Sequence, residues 1–126
     1  MAHKITAEQA ARIEQIEGFL KSVDHVARLV AELDANRAAK SKTLENLCES
    51  IARELSQMRQ RALTANVGTI GDVAGTMSVM AGRGGGINMK IRGLNDGVNS
   101  LRLQLDQALK QAMRPPEPQR PTENPQ

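Results

Sequence analysis

The chain has 126 residues, 40% hydrophobic but only 1% aromatic, with one Phe, no Trp or Tyr, and a formal net charge of +3. That length bounds it to one domain, and so few aromatics argue against a β-sandwich, a barrel or an aromatic-lined ligand pocket. The lone Cys48 excludes an internal disulfide and a cysteine-based zinc site, and "MAHKITAEQAARI" at the N-terminus lacks an apolar signal core, so a cytoplasmic setting is expected.

The abundant residues are good helix formers. The first predicted helix covers about residues 6–33 and opens with a capping box, Thr6 and Gln9 in the pattern T-x-x-Q. Apolar residues follow at Ile13, Ile16, Leu20, Val23, Ala27 and Val30, and Phe19, Val26 and Leu33 widen the stripe. The pairs Glu8–Arg12, Glu17–Lys21 and Asp24–Arg28 place an acid four residues before a base, the favourable order on a helix.

A second helix, about 43–65, repeats the spacing with Leu44, Cys48, Ile51, Leu55, Met58 and Ala62. Between the two, Asp34–Lys42 places polar residues where the heptad would put core. Either the chain turns back there or one helix runs through a polar gap; the matched helix lengths favour the turn.

A short helix is predicted over 70–81 and a long one over 87–113. The latter carries Ile87, Ile91, Leu94, Val98, Leu101, Leu105, Ala108 and Ala112 at alternating spacings of four and three. Extended backwards, that stripe meets Met80, Met77, Val73 and Ile70 without a slip, whereas the second helix extended forwards is out of phase. The turn therefore falls near "NVGT" (Asn66–Thr69), not in the glycine run that follows.

That run, "MAGRGGGINMKIRG" (Met80–Gly93), holds Gly82, Gly84, Gly85 and Gly86. It lacks the Lys-Ser/Thr pair of a phosphate loop, and Ile87 and Met89 stand where a dinucleotide fingerprint needs glycine. A generic anion nest near Arg83 and Lys90 is the weaker reading. A hinge at these four glycines is the stronger, and the unbroken phase leaves a continuous helix open. Gly93 and Gly97, four apart, would let a neighbouring backbone come close. Gly71 and Gly75, with Ala74, Ser78 and Gly82, repeat small residues at a spacing that permits close helix packing.

All five prolines lie in the last 12 residues, so 114–126 is expected to be a disordered tail. Its "PPEPQR" matches the polyproline ligand pattern P-x-x-P-x-R. The expected fold is all-α: residues 1–113 form an antiparallel coiled-coil-like bundle of three long helices and one short Gly/Met-rich helix, assembled as an oligomer.

No catalytic constellation accompanies these helices. His3 and His25 lie off the apolar stripes, Cys48 occupies a core position, and no H-E-x-x-H or inward carboxylate pair occurs. No enzyme activity, metal or cofactor is expected. The leading expectation is a small adaptor, scaffold or chaperone-like protein, homo-oligomeric and binding a protein partner through the apolar stripes. The residues expected to carry core and self-association are Ile13, Ile16, Leu20, Val23, Val30, Leu44, Ile51, Leu55, Met58, Ile87, Ile91, Leu94, Val98, Leu101 and Leu105.

Charge supports an alternative. Residues 1–35 carry four bases and six acids, 36–65 carry six and three, and 66–113 carry five and three. Helix-to-helix complementarity explains this, and so does a nucleic-acid accessory protein using Arg83, Lys90, Arg92 and Arg102, with Arg53, Arg59 and Arg61 as a second cluster. A membrane-active protein using 62–82 is the third reading. That segment's one charge is Asp72, but it is small-residue-rich, and membrane insertion is not expected.

Overall fold

The computed structural model describes residues 5–115, an all-α bundle of four helices with no strand among the described residues. They are α1 (Ala7–Ala35), α2 (Ser41–Thr64), α3 (Gly68–Gly82) and α4 (Ile87–Met113). Each helix packs on its neighbours in sequence, and α1 closes the ring against α4. At 29 and 27 residues, α1 and α4 are each about 40 Å long, whereas the 15 residues of α3 reach little more than half as far.

Local chemistry sets the boundaries. The capping box at α1 is present in both directions: Thr6 Oγ1 accepts from the Gln9 amide, and Gln9 Oε1 accepts from the Thr6 amide, each at 3.0 Å. Gln9 Nε2 also donates to the carbonyls of Ala112 and Arg114, at 3.2 and 2.8 Å, partnering two carbonyls at the end of α4. One side chain thus caps its own helix and ties down the far end of the chain.

The stretch Asp34–Lys42 turns. Asn36 closes α1, its amide bonding to Glu32 O and Leu33 O and its side chain donating to Glu32 O at 2.7 Å. Helix α2 ends in a Schellman motif: Val67 N–H reaches Ala62 O, Asn66 N–H reaches Leu63 O, and Asn66 takes the left-handed conformation with φ 62°. Asparagine accepts that conformation more readily than most residues.

Between α3 and α4 the helix is interrupted over Arg83–Gly86, so the continuous-helix reading does not hold. An unbroken heptad phase does not require an unbroken helix. It requires only that both helices present their seams to the same core. Gly85 sits at φ +132°, a conformation that L side chains rarely adopt. Gly85→Ala is therefore expected to destabilise the fold by about 1–3 kcal/mol. Gly84→Ala meets open space and is expected to be neutral or stabilising by up to about 1 kcal/mol, a contrast that thermal unfolding of the two variants reads directly.

The core is apolar throughout, with no polar or charged side chain buried among the described residues. Of the predicted stripe, Ile16, Val23, Val30, Ile51, Leu55, Met58, Ile91, Leu94, Val98, Leu101 and Leu105 are buried. Ile13, Leu20, Leu44 and Ile87 are only half-buried. The seam of α1 is instead Ile16, Phe19, Val23, Val26, Val30 and Leu33. Helix α1 touches both α2 and α4, so the face between them is fully enclosed, and Leu20 and Ala27 fall to its edge. Likewise α3 buries Ile70, Ala74, Met77 and Ala81, leaving Val73 and Met80 half-exposed.

The predicted limits shift by up to two residues, as helix ends commonly do. The tail beyond Pro115, with its prolines and "PPEPQR" motif, and His3 lie outside the described residues.

Glycine shapes two of the contacts. Gly71 brings α3 close to α2: a Cβ there would lie 3.4 Å from the Ala62 Cβ and 3.8 Å from the Arg59 carbonyl oxygen. Ser78 Oγ donates to the Ala52 carbonyl across the same contact at 3.1 Å. Much of the small-residue face predicted over the third helix, Gly71, Ala74, Gly75 and Ser78, thus packs against the bundle, whereas Gly82 is exposed. On α4, what approaches Gly93 and Gly97 is not backbone but the thioethers of Met80 and Met77. Each methionine fills the space that a side chain would otherwise occupy.

A basic tip as the candidate functional site

Two segments far apart in sequence meet at one end of the bundle, the α1–α2 turn and the α3–α4 joint. Arg37 Nη1 donates to Asn88 Oδ1, which links the turn to the first turn of α4. A groove runs between the start of α2, at Ser41, Leu44 and Glu45, and the joint from Ala81 to Ile87, with Lys90 on its wall. A second groove on the other side of the joint is lined by Met80, Arg83, the three glycines, Met89, Lys90 and Arg92.

The two connecting segments at this tip carry only positive charge. Residues 36–44 contribute Arg37, Lys40 and Lys42, and residues 83–95 contribute Arg83, Lys90 and Arg92; neither segment contains an acid. Carboxylates reach the tip from the flanking helices. Asp34 is 2.6 Å from Arg37 Nε, Glu45 and Glu49 line the first groove with Arg83 and Lys90, and Asp96 lines the second, where three cations face it. Five of the six cations are exposed, and Lys90 is half-buried with its Nζ 3.8 Å from Cys48 Sγ.

Backbone donors are also present. Helices α2 and α4 both start at this end, at Lys40 and Gly86, with no side-chain cap and no acid in the first turn. Helices α1 and α3 end here, so their carbonyl termini offset the dipoles, and what the two helix starts add is free N–H groups. An added Cβ at Gly84, Gly85 or Gly86 would meet nothing within 4 Å, so the peptide of the joint is open to a ligand. Gly84, Gly85 and Gly86 therefore form an uncovered strip of backbone beside these cations, whereas Gly82 belongs to the end of α3.

The predicted nucleic-acid contacts divide here. Arg83, Lys90 and Arg92 come together at the tip. Arg102 does not, because its Nη2 is 3.0 Å from Asp24 Oδ1 on α1. Of the second predicted cluster, Arg53 is exposed on α2, and the other two are engaged elsewhere. Arg61 lies over the Phe19 ring at 4.9 Å and donates to Ser22 Oγ at 2.7 Å, while the Arg59 stem fills the space beside Gly75. The Arg102–Asp24 pair realises part of the complementarity between the acidic first helix and its basic neighbours, whereas His25 Nδ1, 3.2 Å from Glu54 Oε1, joins α1 to α2 in the opposite sense. Arg37, Lys40 and Lys42 were missed as site residues. Only the turn at 36–40 brings them beside a joint some 45 positions later, although their freedom from acids was visible in the sequence.

Among the described residues no group of three His, Cys, Asp or Glu could hold a metal ion, and no helix is long and apolar enough to cross a membrane. Scans against protein-family models, curated proteins and solved structures find nothing that matches this chain.

Proposed function

We propose that this protein acts by binding, as a non-enzymatic helical interaction protein, and that its basic tip docks an anionic partner. The bundle is read as antiparallel and coiled-coil-like, a rigid support that presents the tip. The observation that carries the proposal is the meeting of cations from two acid-free segments at one end of the fold: Arg83, Lys90 and Arg92 beside Lys40 and Lys42, with Arg37 held by Asp34 and Asn88. Opposed charge at such a surface speeds encounter and selects the partner's sign.

The adaptor role expected from the apolar stripes changes its location in this reading. Most of those stripe residues are buried within one chain, and in this reading a partner, or a second copy, uses surface outside the buried seams. The exposed large apolar residues, among them Leu63, Val79, Met89 and Leu103, are spread over different helices. Charge is the more concentrated signal.

Heparin, a sulfated polyanion, is the direct probe. The wild-type protein is expected to be retained at low salt and to elute later than Arg83→Glu/Lys90→Glu at the same pH. Circular dichroism of both proteins keeps a folding defect from being mistaken for lost binding. Flow-through of the folded wild type at low salt would remove the tip as a docking site.

A further inference from the structure

Resting on that reading of the tip, we infer that its partner is double-stranded nucleic acid, held through the phosphates without regard to base sequence. Three features of the tip select this partner. The cations are distributed over two segments, Arg83, Lys90 and Arg92 along the grooves and Lys40 and Lys42 at the start of α2, so they fit a repeated charge better than one ionic group. A duplex backbone offers phosphates in series, and lysine, arginine and backbone amides are the groups that commonly contact them.

The second feature is the absence of a stacking platform. The single aromatic residue, Phe19, is buried in the core beneath Arg61, on a different part of the bundle. Single-strand binding without sequence preference draws on aromatic faces. The third is the state of Asn88, the side chain at the tip best suited to reading an adenine edge. Its carbonyl oxygen already accepts from Arg37. The exposed donors that remain at the tip are mainly lysine and arginine, the side chains that commonly contact phosphate.

A membrane surface is the competing anion. Anchoring there draws on an apolar face as well as positive charge. The exposed large apolar residues near the tip are Met89 and, in the last turn of α3, Val79, too few for an apolar face, since Met80, Leu44 and Ile87 are partly buried against the core.

The test is fluorescence anisotropy with the full chain and a labelled random-sequence duplex of about 20 base pairs, titrated at several salt concentrations from about 50 mM upward. Binding is expected to be independent of sequence. Its logarithmic slope against salt should fall between about −3.6 and −5.4, as neutralisation of about four to six phosphates requires. The variant Arg83→Glu/Lys90→Glu/Arg92→Glu should lose at least about tenfold in affinity at the lowest salt. Arg28→Glu/Lys110→Glu, on helix faces away from the tip, should lose far less, and circular dichroism verifies that both variants fold.

Equal loss in the two variants would overturn the assignment to the tip. Equal or tighter binding to a labelled single strand would overturn the preference for duplex, and tighter binding to vesicles containing phosphatidylserine would replace nucleic acid by membrane. No duplex binding by a protein that heparin retains would refute this inference while leaving the docking role of the tip standing.

Discussion

Phe19→Ala is expected to lower the unfolding free energy by about 3–5 kcal/mol, a large share of the roughly 5–15 kcal/mol that holds a domain of this size together. Phe19 is 2% exposed, the largest side chain in the seam of α1, and Arg61 lies across its ring. Truncation removes the buried ring and leaves a cavity that aliphatic neighbours fill incompletely. It also uncouples the guanidinium from the ring, a contact worth about 0.5–1 kcal/mol at a partly exposed site. Ile13→Ala, at a half-buried position, is expected to cost less than half as much. Chemical denaturation of the pair measures the difference, and equal losses would return the seam of α1 to the stripe through Ile13 and Leu20.

Gly97→Leu has the second large effect, and here two physical contributions oppose each other. Leucine is the better helix former by about 0.8–1 kcal/mol. A side chain at 97 must nevertheless enter space held by Met77: a Cβ alone would lie 2.5 Å from its Sδ and 2.6 Å from its Cγ. Met77 is 2% exposed and has little room to retreat. Overpacking typically costs about 1–3 kcal/mol and occasionally more, so steric strain is expected to outweigh propensity and leave a net loss of about 2 kcal/mol. Pairing Gly97→Leu with Met77→Ala should recover part of that loss, giving a coupling of about 1 kcal/mol or more in a double-mutant cycle. Strictly additive effects would mean that the two residues do not share this space.

Periodicity made most of the fold legible, though not the orientation of every helix. The stripe of α2 was read correctly because its apolar residues form one narrow row from Cys48 to Ala62, with charge on either side. Helix α1 carries two overlapping rows, Ile13–Ile16–Leu20–Val23 and Ile16–Phe19–Val23–Val26, and pattern alone does not say which faces inward. Contact with two neighbours decides it, and that is a tertiary property. In α3 the small residues Ala74 and Ala81 are buried in place of Val73 and Met80, because close approach to α2 favours the smaller side chain.

The two turns before α3 follow from local chemistry, Asn36 and Asn66 each supplying what the helix end needs. At Gly93 and Gly97 the close approach was legible, but not what approaches. A missing side chain shows where space exists without showing whether backbone or methionine will fill it.

The basic tip was half legible. Arg83, Lys90 and Arg92 stand within ten positions and invite grouping, whereas Arg37, Lys40 and Lys42 join them only once α1 and α2 form a hairpin. Arg102 illustrates the opposite error. It shares a helix with Lys90 and Arg92, yet it is far enough along α4 to face Asp24.

The central claim is that the heptad seams close within one chain and leave the tip as the surface that acts. Equilibrium unfolding by urea, followed by circular dichroism at two protein concentrations about a hundredfold apart, tests it most directly. A self-contained bundle predicts the same midpoint at both concentrations. A midpoint that rises with protein concentration would show that folding is coupled to assembly, with the seams completed between chains.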